Sequence, residues 1–253
     1  MIDLHSHLLP AVDDGSRSVG QSVKVLREFA RLGITDVCLT PHLRAGQASA
    51  GPPAAHDRAY ASLMAEAPKE PRLHRAAEIM LDRPLPSDSS QLRRLSLGGS
   101  RYILVEFPRL VARDTVTNAL SRVLDSGMVP VLAHPERYSC CRAESVAAWR
   151  ELGARMQVDA TTLLSPQTRG QRARDLISHG LADILAGDNH GDDRSVAAGF
   201  QFLTAQEGEQ QAELLVVANP GAMLKDAALM SVPPLRIKRT WMQRIRQILE
   251  GGE

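Results

Sequence analysis

Residues 1–7 read M-I-D-L-H-S-H, a short apolar run that ends in two imidazoles at i and i+2. In an extended strand that spacing puts His5 and His7 on one face. The same geometry returns at Asp188-Asn189-His190, directly after the apolar run 183–186. Between these two places the chain alternates short apolar runs with stretches of helical period. Strands are expected at 1–4, 34–39, 73–79, 102–105, 129–133, 155–158 and 183–186. Helices are expected at 19–32, near 57–67, and at 115–126, 144–152 and 167–179, with Gly33, Gly127 and Gly180 closing three of them. The Gly-, Ala- and Pro-rich stretch 45–55 reads as a mobile loop, and Asn219-Pro220 as a turn. Strand–helix alternation of this kind argues for a parallel sheet, and seven units argue for a βα barrel rather than an open sheet.

Against that strand reading, the acidic and imidazole side chains collect at strand ends. His5 and His7 follow strand one and His42 follows strand two. Glu78 and Glu106 stand at the ends of strands three and four; His134 follows strand five, and Asp188 and His190 follow strand seven. The C-terminal strand ends of a βα barrel form its active-site face. One face therefore receives candidate ligands from six strands. A single HxH is a weak signal, and Glu106 in I-L-V-E-F-P could be a buried carboxylate paired with an arginine. A buried carboxylate or imidazole still needs a partner or a metal, and a separate structural reason for each of so many is the poorer explanation. All the donors are O or N, with no thiolate, which suits Mn²⁺, Fe or Zn²⁺ in a hydrolytic site rather than a structural zinc knot. A carboxylate such as Glu78 could bridge two ions. Asp3 and Asp13 stay open on sequence; Asp13 could simply cap or turn the loop while its neighbour Asp14 binds metal. Arg137, in H-P-E-R at 134–137, could clamp phosphate oxygens; the competing reading is an ion pair with Glu136 or another acid. Arg44 and Arg109 give weaker versions of the same signal.

The chain has 253 residues, enough for one large domain with a sizeable core. Its net charge of +1 gives no global electrostatic case for nucleic acid as a partner. The N-terminus lacks the basic and apolar regions of a secretory signal, and no apolar run reaches membrane-spanning length. Cys38, Cys140 and Cys141 form an odd set without zinc spacing, as expected of a reducing cytoplasm. Residues 226–253 are read as a basic helical extension beyond a main domain at 1–225. Its apolar stripe of Trp241, Ile245, Ile248 and Leu249 fits packing on the barrel better than peripheral membrane contact. One decoy falls away: C-L-T-P-H-L-R at 38–44 matches the C-x5-R spacing of cysteine phosphatases. Pro41 has no N–H to give a phosphate, and Cys38 lies inside an apolar strand.

Taken together, M-I-D-L-H-S-H-L-L-P-A-V-D-D-G-S at the start, T-P-H at 40–42, A-E-I at 77–79, I-L-V-E-F-P at 103–108, V-L-A-H-P-E-R-Y at 131–138 and G-D-N-H at 187–190 resemble a known family. It is the bacterial metal-dependent protein-tyrosine phosphatases of capsule and exopolysaccharide production, in the polymerase and histidinol phosphatase (PHP) superfamily. The resemblance runs from Met1 to about Pro220. It implies a distorted (β/α)7 barrel with two or three manganese ions. One ion would take His5, His7, Glu78 and Asp188; a second Glu78, Glu106 and His134; a third Asp14, His42 and His190. Arg137 would bind the substrate phosphate, with Asp14 or His190 protonating the leaving group. The implied substrate is the phosphotyrosine tail of a bacterial tyrosine kinase that controls polysaccharide export. Two departures stand out: the loop after His42 lacks the aromatic and polar residues common in relatives, and G-D-N-H replaces S-D-x-H. Rival readings are a phosphatase for a small ester such as histidinol phosphate, a nuclease, and a metal-stabilised module that binds the kinase without turnover. An oligomer would rest on analogy alone.

Overall fold

A computed structural model of the chain describes residues 1–85 and 89–238. Nine strands, all paired in parallel, fall into two sheets among the described residues. β1 (Ile2–Ser6), β2 (Asp36–Leu39) and β4 (Arg72–Arg75) form one. β3 (His42–Arg44), β5 (Glu78–Met80), β6 (Tyr102–Glu106), β7 (Val129–Ala133), β8 (Arg155–Asp159) and β9 (Ile184–Ala186) form the other. The expected strand 73–79 is therefore split into β4 and β5, and β3 lies beyond the expected strand 34–39 that β2 fills. Thr40 and Pro41 interrupt β2–β3, where Pro41 has no N–H for a ladder. Ala76 and Ala77 interrupt β4–β5, their N–H groups bonding Leu39 O and Leu95 O. Counted as staves, the strands number seven and follow chain order.

The last stave meets the first without a continuous ladder. Ser6 and Asn189 form a single parallel bridge, and His7 N–H donates to Asn189 O at 2.7 Å. The buried Asp3 carboxylate supplies the rest, accepting Gly187 N–H at 3.0 and 3.1 Å. A Cβ at position 187 would lie 2.6 Å from Asp3 Oδ2, so only glycine allows this approach.

Alternation along the strands builds two apolar layers. Ile79, Ile103, Val105, Leu132, Met156, Val158 and Leu185 face outward to the helices in the large core. Leu4, Cys38, Tyr102, Leu104, Val131, Ala133 and Ile184 fill the interior. The inward positions continue to Glu106 on β6 and to Gln157 and Asp159 on β8. In β1 the pairing with β2 slips by one residue between Asp3 and Ser6. That bulge breaks the alternation, so Leu4 packs inside and His5 still turns to the same interior.

The helices α1 (Val19–Arg31), α2 (Ala54–Glu66), α3 (Ser89–Arg93), α4 (Arg113–Asp125), α5 (Ala143–Leu152), α6 (Thr168–Ser178), α7 (Val196–Ala205) and α8 (Glu209–Glu213) cover the outer face, and α9 (Asn219–Leu224) packs Met223 into the interior cluster. α1 shows why they form. Ser18 caps its start by accepting Gln21 N–H, and Val23, Leu26 and Phe29 line its buried face. The stretch 45–55, expected to be a mobile loop, carries 3-10 turns over Ala45–Ala50, with Ala45 and Ala48 buried, and α2 begins at Ala54. Asn219-Pro220, expected as a turn, instead opens α9, where the buried Asn219 amide bonds Asp183 O and Met230 O. Residues 226–238 carry no helix, and the Trp241–Leu249 stripe lies outside the described residues. No helix of the described residues is long and apolar enough to cross a membrane.

Candidate metal centre

All nine side chains singled out as ligands converge at the C-terminal strand ends. They form four overlapping groups: His5, His7 and Asp188; His5, Glu78 and His134; His42, Glu78 and Glu106; and His7, Asp14, His42 and His190. Glu78, wholly buried on the short β5, lies at the middle. Its Oε1 bonds His134 Nε2 at 2.9 Å. Its Oε2 lies 3.3 Å from His5 Nε2, 3.3 Å from His7 Nε2 and 3.0 Å from His42 Nδ1. Asp188 Oδ1 faces the same two imidazoles, at 3.3 Å from His5 and 3.4 Å from His7. His42 looks two ways: Nδ1 is 3.1 Å from Glu106 Oε1, and Nε2 is 3.4 Å from Asp14 Oδ1. His190 Nε2 is 3.5 Å from the same Asp14 oxygen. Asp14 sits at the rim with its side chain 70% exposed, whereas His5, His7 and Glu78 are closed off from solvent.

Other side chains aim the imidazoles. Gln157 Oε1 meets His5 Nδ1 at 2.9 Å, and Asp13 Oδ2 meets His7 Nδ1 at 2.8 Å. Each leaves its histidine's Nε2 facing the cluster, the outer-shell arrangement typical of metal-binding histidines. Asp13 also accepts N–H bonds from Gly15 and His42. It is thus both loop cap and orienting group, where the sequence had left it open. His134 and Asp188 hold left-handed backbones, φ +34° and +48°, a cost that surrounding structure sustains most often at functional sites.

The donor set fits metal ions. His5 Nε2 and His7 Nε2 stand 3.1 Å apart, both aimed at the same carboxylates. Glu78 Oε2, despite three ring nitrogens around it, has no hydrogen-bond partner and no access to water. Such an orphaned buried oxygen is costly unless a cation answers it. The electrostatics agree. Burial alone would raise the carboxyls of Asp188 and Glu78, yet their histidine neighbours, with Arg137 beside Asp188, hold both below the usual carboxylate range. Burial would lower His7, yet Asp13, Asp188 and Glu78 draw it well above its ordinary value. The cluster calls for positive charge.

Arg137 lies beside these groups. Its Nη2 donates to Asp159 Oδ2 at 2.7 Å and to Asp188 Oδ2. Glu136 is not its counter-ion: it is buried, accepts Asp159 N–H at 3.0 Å, and is pushed up to about 8 by burial and by Asp159. Tyr138 fixes this loop, its hydroxyl donating to Ala133 O and accepting Phe107 N–H. Sequence reading passed over three neighbours. Gln157 and Asp159 lie two apart on β8, and Arg194 Nη1 is 3.6 Å from Asp188 Oδ2. Asp159 ends its strand as Glu106 does, a signal within reach; Gln157 and Arg194 carry none. Cys38 lies in the interior apolar layer, its thiol pushed far up by burial, so it is no thiolate nucleophile.

Comparison with known proteins gives the chain its relatives. The family model for capsular polysaccharide synthesis, CpsB/CapC, matches residues 1–225. Tyrosine-protein phosphatase YwqE of Bacillus subtilis is 28% identical over 248 residues, covering 94% of this chain and 97% of that protein. Tyrosine-protein phosphatase CpsB of Streptococcus agalactiae is 26% identical over 244 residues, covering 89% and 99%. A crystal structure from the pair YwqE of Bacillus subtilis and CpsB of Streptococcus pneumoniae, described as unique metal-dependent tyrosine phosphatases, superposes with a TM-score of 0.75 at 26% identity. It covers 94% of this chain and 100% of its own. Matched along most of its length and over every strand, this chain belongs to the CpsB/CapC family of capsular polysaccharide synthesis.

Proposed function

We propose that this chain is a manganese-dependent phosphatase of the cytoplasm that hydrolyses phosphotyrosine on protein. Its substrate is the phosphorylated tail of a bacterial tyrosine kinase that regulates capsule or exopolysaccharide synthesis. The observation that carries the reading is Glu78 Oε2, orphaned at the centre of three imidazoles. His5, His7, Glu78 and Asp188 would hold one ion; Glu78, Glu106 and His134 a second; Asp14, His42 and His190 a third. His42 stands between the last two sets, with one ring nitrogen toward each. Manganese, when bound, supplies activation of the attacking water and neutralises charge on the phosphoryl oxygens.

The remaining work falls to the chain. Arg137, held by Asp159 and Asp188, keeps N–H groups free to clamp phosphoryl oxygens as charge builds there. Whichever of Asp14, exposed at the rim between His42 and His190, and His190 is not ligating an ion would give a proton to the leaving phenol oxygen. That phenol has a pKa of about 10, so it departs with little help. This reading requires no covalent phosphoenzyme. The open rim at Asp14 and His42 suits a phosphate carried on a protein side chain.

With Mn²⁺ present, kcat/KM for a phosphotyrosyl peptide from a kinase tail should exceed that for histidinol phosphate and for a phosphodiester. A preference for either small ester would move the substrate class to metabolites or nucleic acid. Absence of any turnover would favour a non-catalytic binding module.

A further inference from the structure

Beside Arg137 opens a second cavity, of about 520 Å³, whose walls include Arg109, Arg169, Arg172 and the buried Glu136. It is separate from the metal cluster but shares Arg137 with it. Two hydrogen bonds tie its walls to the loop that carries Arg137. Ser139 N–H donates to Arg109 O at 2.8 Å, and Arg172 Nη1 donates to Tyr138 O at 2.9 Å. The cavity is therefore built onto the same short segment that positions Arg137, and a ligand in it lies next to any phosphate Arg137 holds.

Its charge is unbalanced. Neither Arg109 nor Arg169 has an ion pair among the described residues, and Arg172 spends one N–H on a carbonyl. Glu136, the one acid of the lining, is wholly buried and accepts Asp159 N–H on Oε1, while four arginines stand around the cavity. A cleft lined by guanidiniums of one sign repels itself, and it concentrates anions. Arginine forks match the oxygens of phosphate and carboxylate, and Arg clusters are a recurrent means of reading acidic or phosphorylated peptides.

We propose that this cavity is a second anion subsite, which takes an acidic or phosphorylated side chain flanking the scissile phosphotyrosine on the same peptide. The inference rests on the phosphotyrosine reading for the identity of the peptide. Substrates with a nearby anion then bind with both groups engaged, the scissile phosphate at Arg137 and the flanking group on Arg109, Arg169 and Arg172. Specificity among phosphotyrosines would come from this cavity, while the metal-lined centre reads only the phosphoryl group.

The test is binding, so it does not depend on turnover. Three labelled peptides carry a non-hydrolysable phosphotyrosine mimic, with neutral flanks, with flanking glutamates, or with a second copy of the mimic. Fluorescence anisotropy with the manganese-loaded protein should give about tenfold tighter Kd for an anionic flank than for neutral flanks, about 1.4 kcal/mol. The gain should shrink as salt rises. In R109A/R169A it should fall to within about twofold, while R109K/R169K, which keeps the charge, should retain most of it. A gain confined to the doubly modified peptide assigns the subsite to phosphate; a gain for both assigns it to anionic flanks in general. Equal Kd for all three peptides in the unaltered protein, or an undiminished gain in R109A/R169A, would overturn the proposal. Separately, a phosphotyrosyl peptide that binds but is never hydrolysed would overturn the parent reading and leave the subsite result standing.

Discussion

Gln157→Leu tests whether the cluster is organised from outside its own ligands. Gln157 is wholly buried on β8, and its Oε1 lies 2.9 Å from His5 Nδ1. For His5 Nε2 to offer its lone pair to a metal, Nδ1 must carry the proton and donate it to that oxygen. Leucine is close to glutamine in size, so packing changes little, but the acceptor disappears. The Nδ1–H is then buried without a partner, a cost of about 1–3 kcal/mol, and the ring no longer has a preferred tautomer. If that cost falls on the metal-binding form, manganese affinity drops by about 10–100-fold, the usual size of an outer-shell defect. The assay is phosphatase activity titrated with free Mn²⁺ in a chelator buffer, alongside thermal melting of the metal-free protein. The half-saturating Mn²⁺ should rise by that factor while activity at saturating metal stays near that of the unaltered protein. Gln157→Glu, which keeps an acceptor, should restore most of the affinity. An unchanged Mn²⁺ titration for Gln157→Leu would refute the assignment of Nδ1 as a tautomer-fixing donor.

Three further outcomes follow from residues away from the ligands. Cys38→Ser should keep its turnover and lose stability of about 1–2 kcal/mol, because the hydroxyl enters an apolar layer; loss of activity with the fold intact would reinstate a thiol mechanism. Arg150→Ala should cost about 3 kcal/mol in urea unfolding, since it strands the buried Asp183 carboxylate, which Arg150 now grips through Nε and Nη2 at 3.1 and 3.0 Å. Asp36 is raised by burial but lowered more by Arg72, His74 and Thr35, to about 2. Its folded value lies below its unfolded one, so its stabilisation is full above the ordinary 3.8 and fades as pH falls through about 2. Melting curves of Asp36→Asn and the unaltered protein should therefore differ by a constant amount above about pH 5 and converge between about pH 4 and 2; a gap that persists at pH 2 would contradict the ion-pair origin.

Much of this architecture was legible because the chemistry and the strand pattern coincide. Strand 129–133 was expected at the bounds it has, since V-P-V-L-A is flanked by Gly127 and by H-P, which forces the chain out of the ladder. Eight of the nine candidate ligands were legible because each is an acid or imidazole at or just past the end of an apolar run; Asp14, in the loop after β1, was assigned to an ion only through the family resemblance. The errors have local causes. The run 73–79 reads as one strand because Ala76 and Ala77 look like strand interior; only the three-dimensional offset of the two sheets shows that β4 pairs with β2 and β5 with β3. The segment after His42 read as plain loop from its composition, yet it makes 3-10 turns in which Ala45 and Ala48 are small enough to bury against neighbouring elements, and tertiary packing overrides weak propensity there. The bulge in β1 leaves no sequence mark, although it is what turns both Leu4 and His5 inward. Gln157 and Arg194 were invisible for a different reason. They act on other side chains, and nothing in a single sequence distinguishes an orienting amide from any other buried glutamine. Asp159 could have been found had strand six been carried one residue further.

The most direct test of the account strips the purified protein with EDTA, returns Mn²⁺, and follows hydrolysis of a phosphotyrosyl kinase-tail peptide in parallel with His5→Ala. Activity should vanish on stripping, return with Mn²⁺, and remain absent or nearly so in His5→Ala under the same metal. Full activity in the stripped protein, or His5→Ala equal to the unaltered chain, would contradict the claim that the histidine–carboxylate cluster is the catalytic centre.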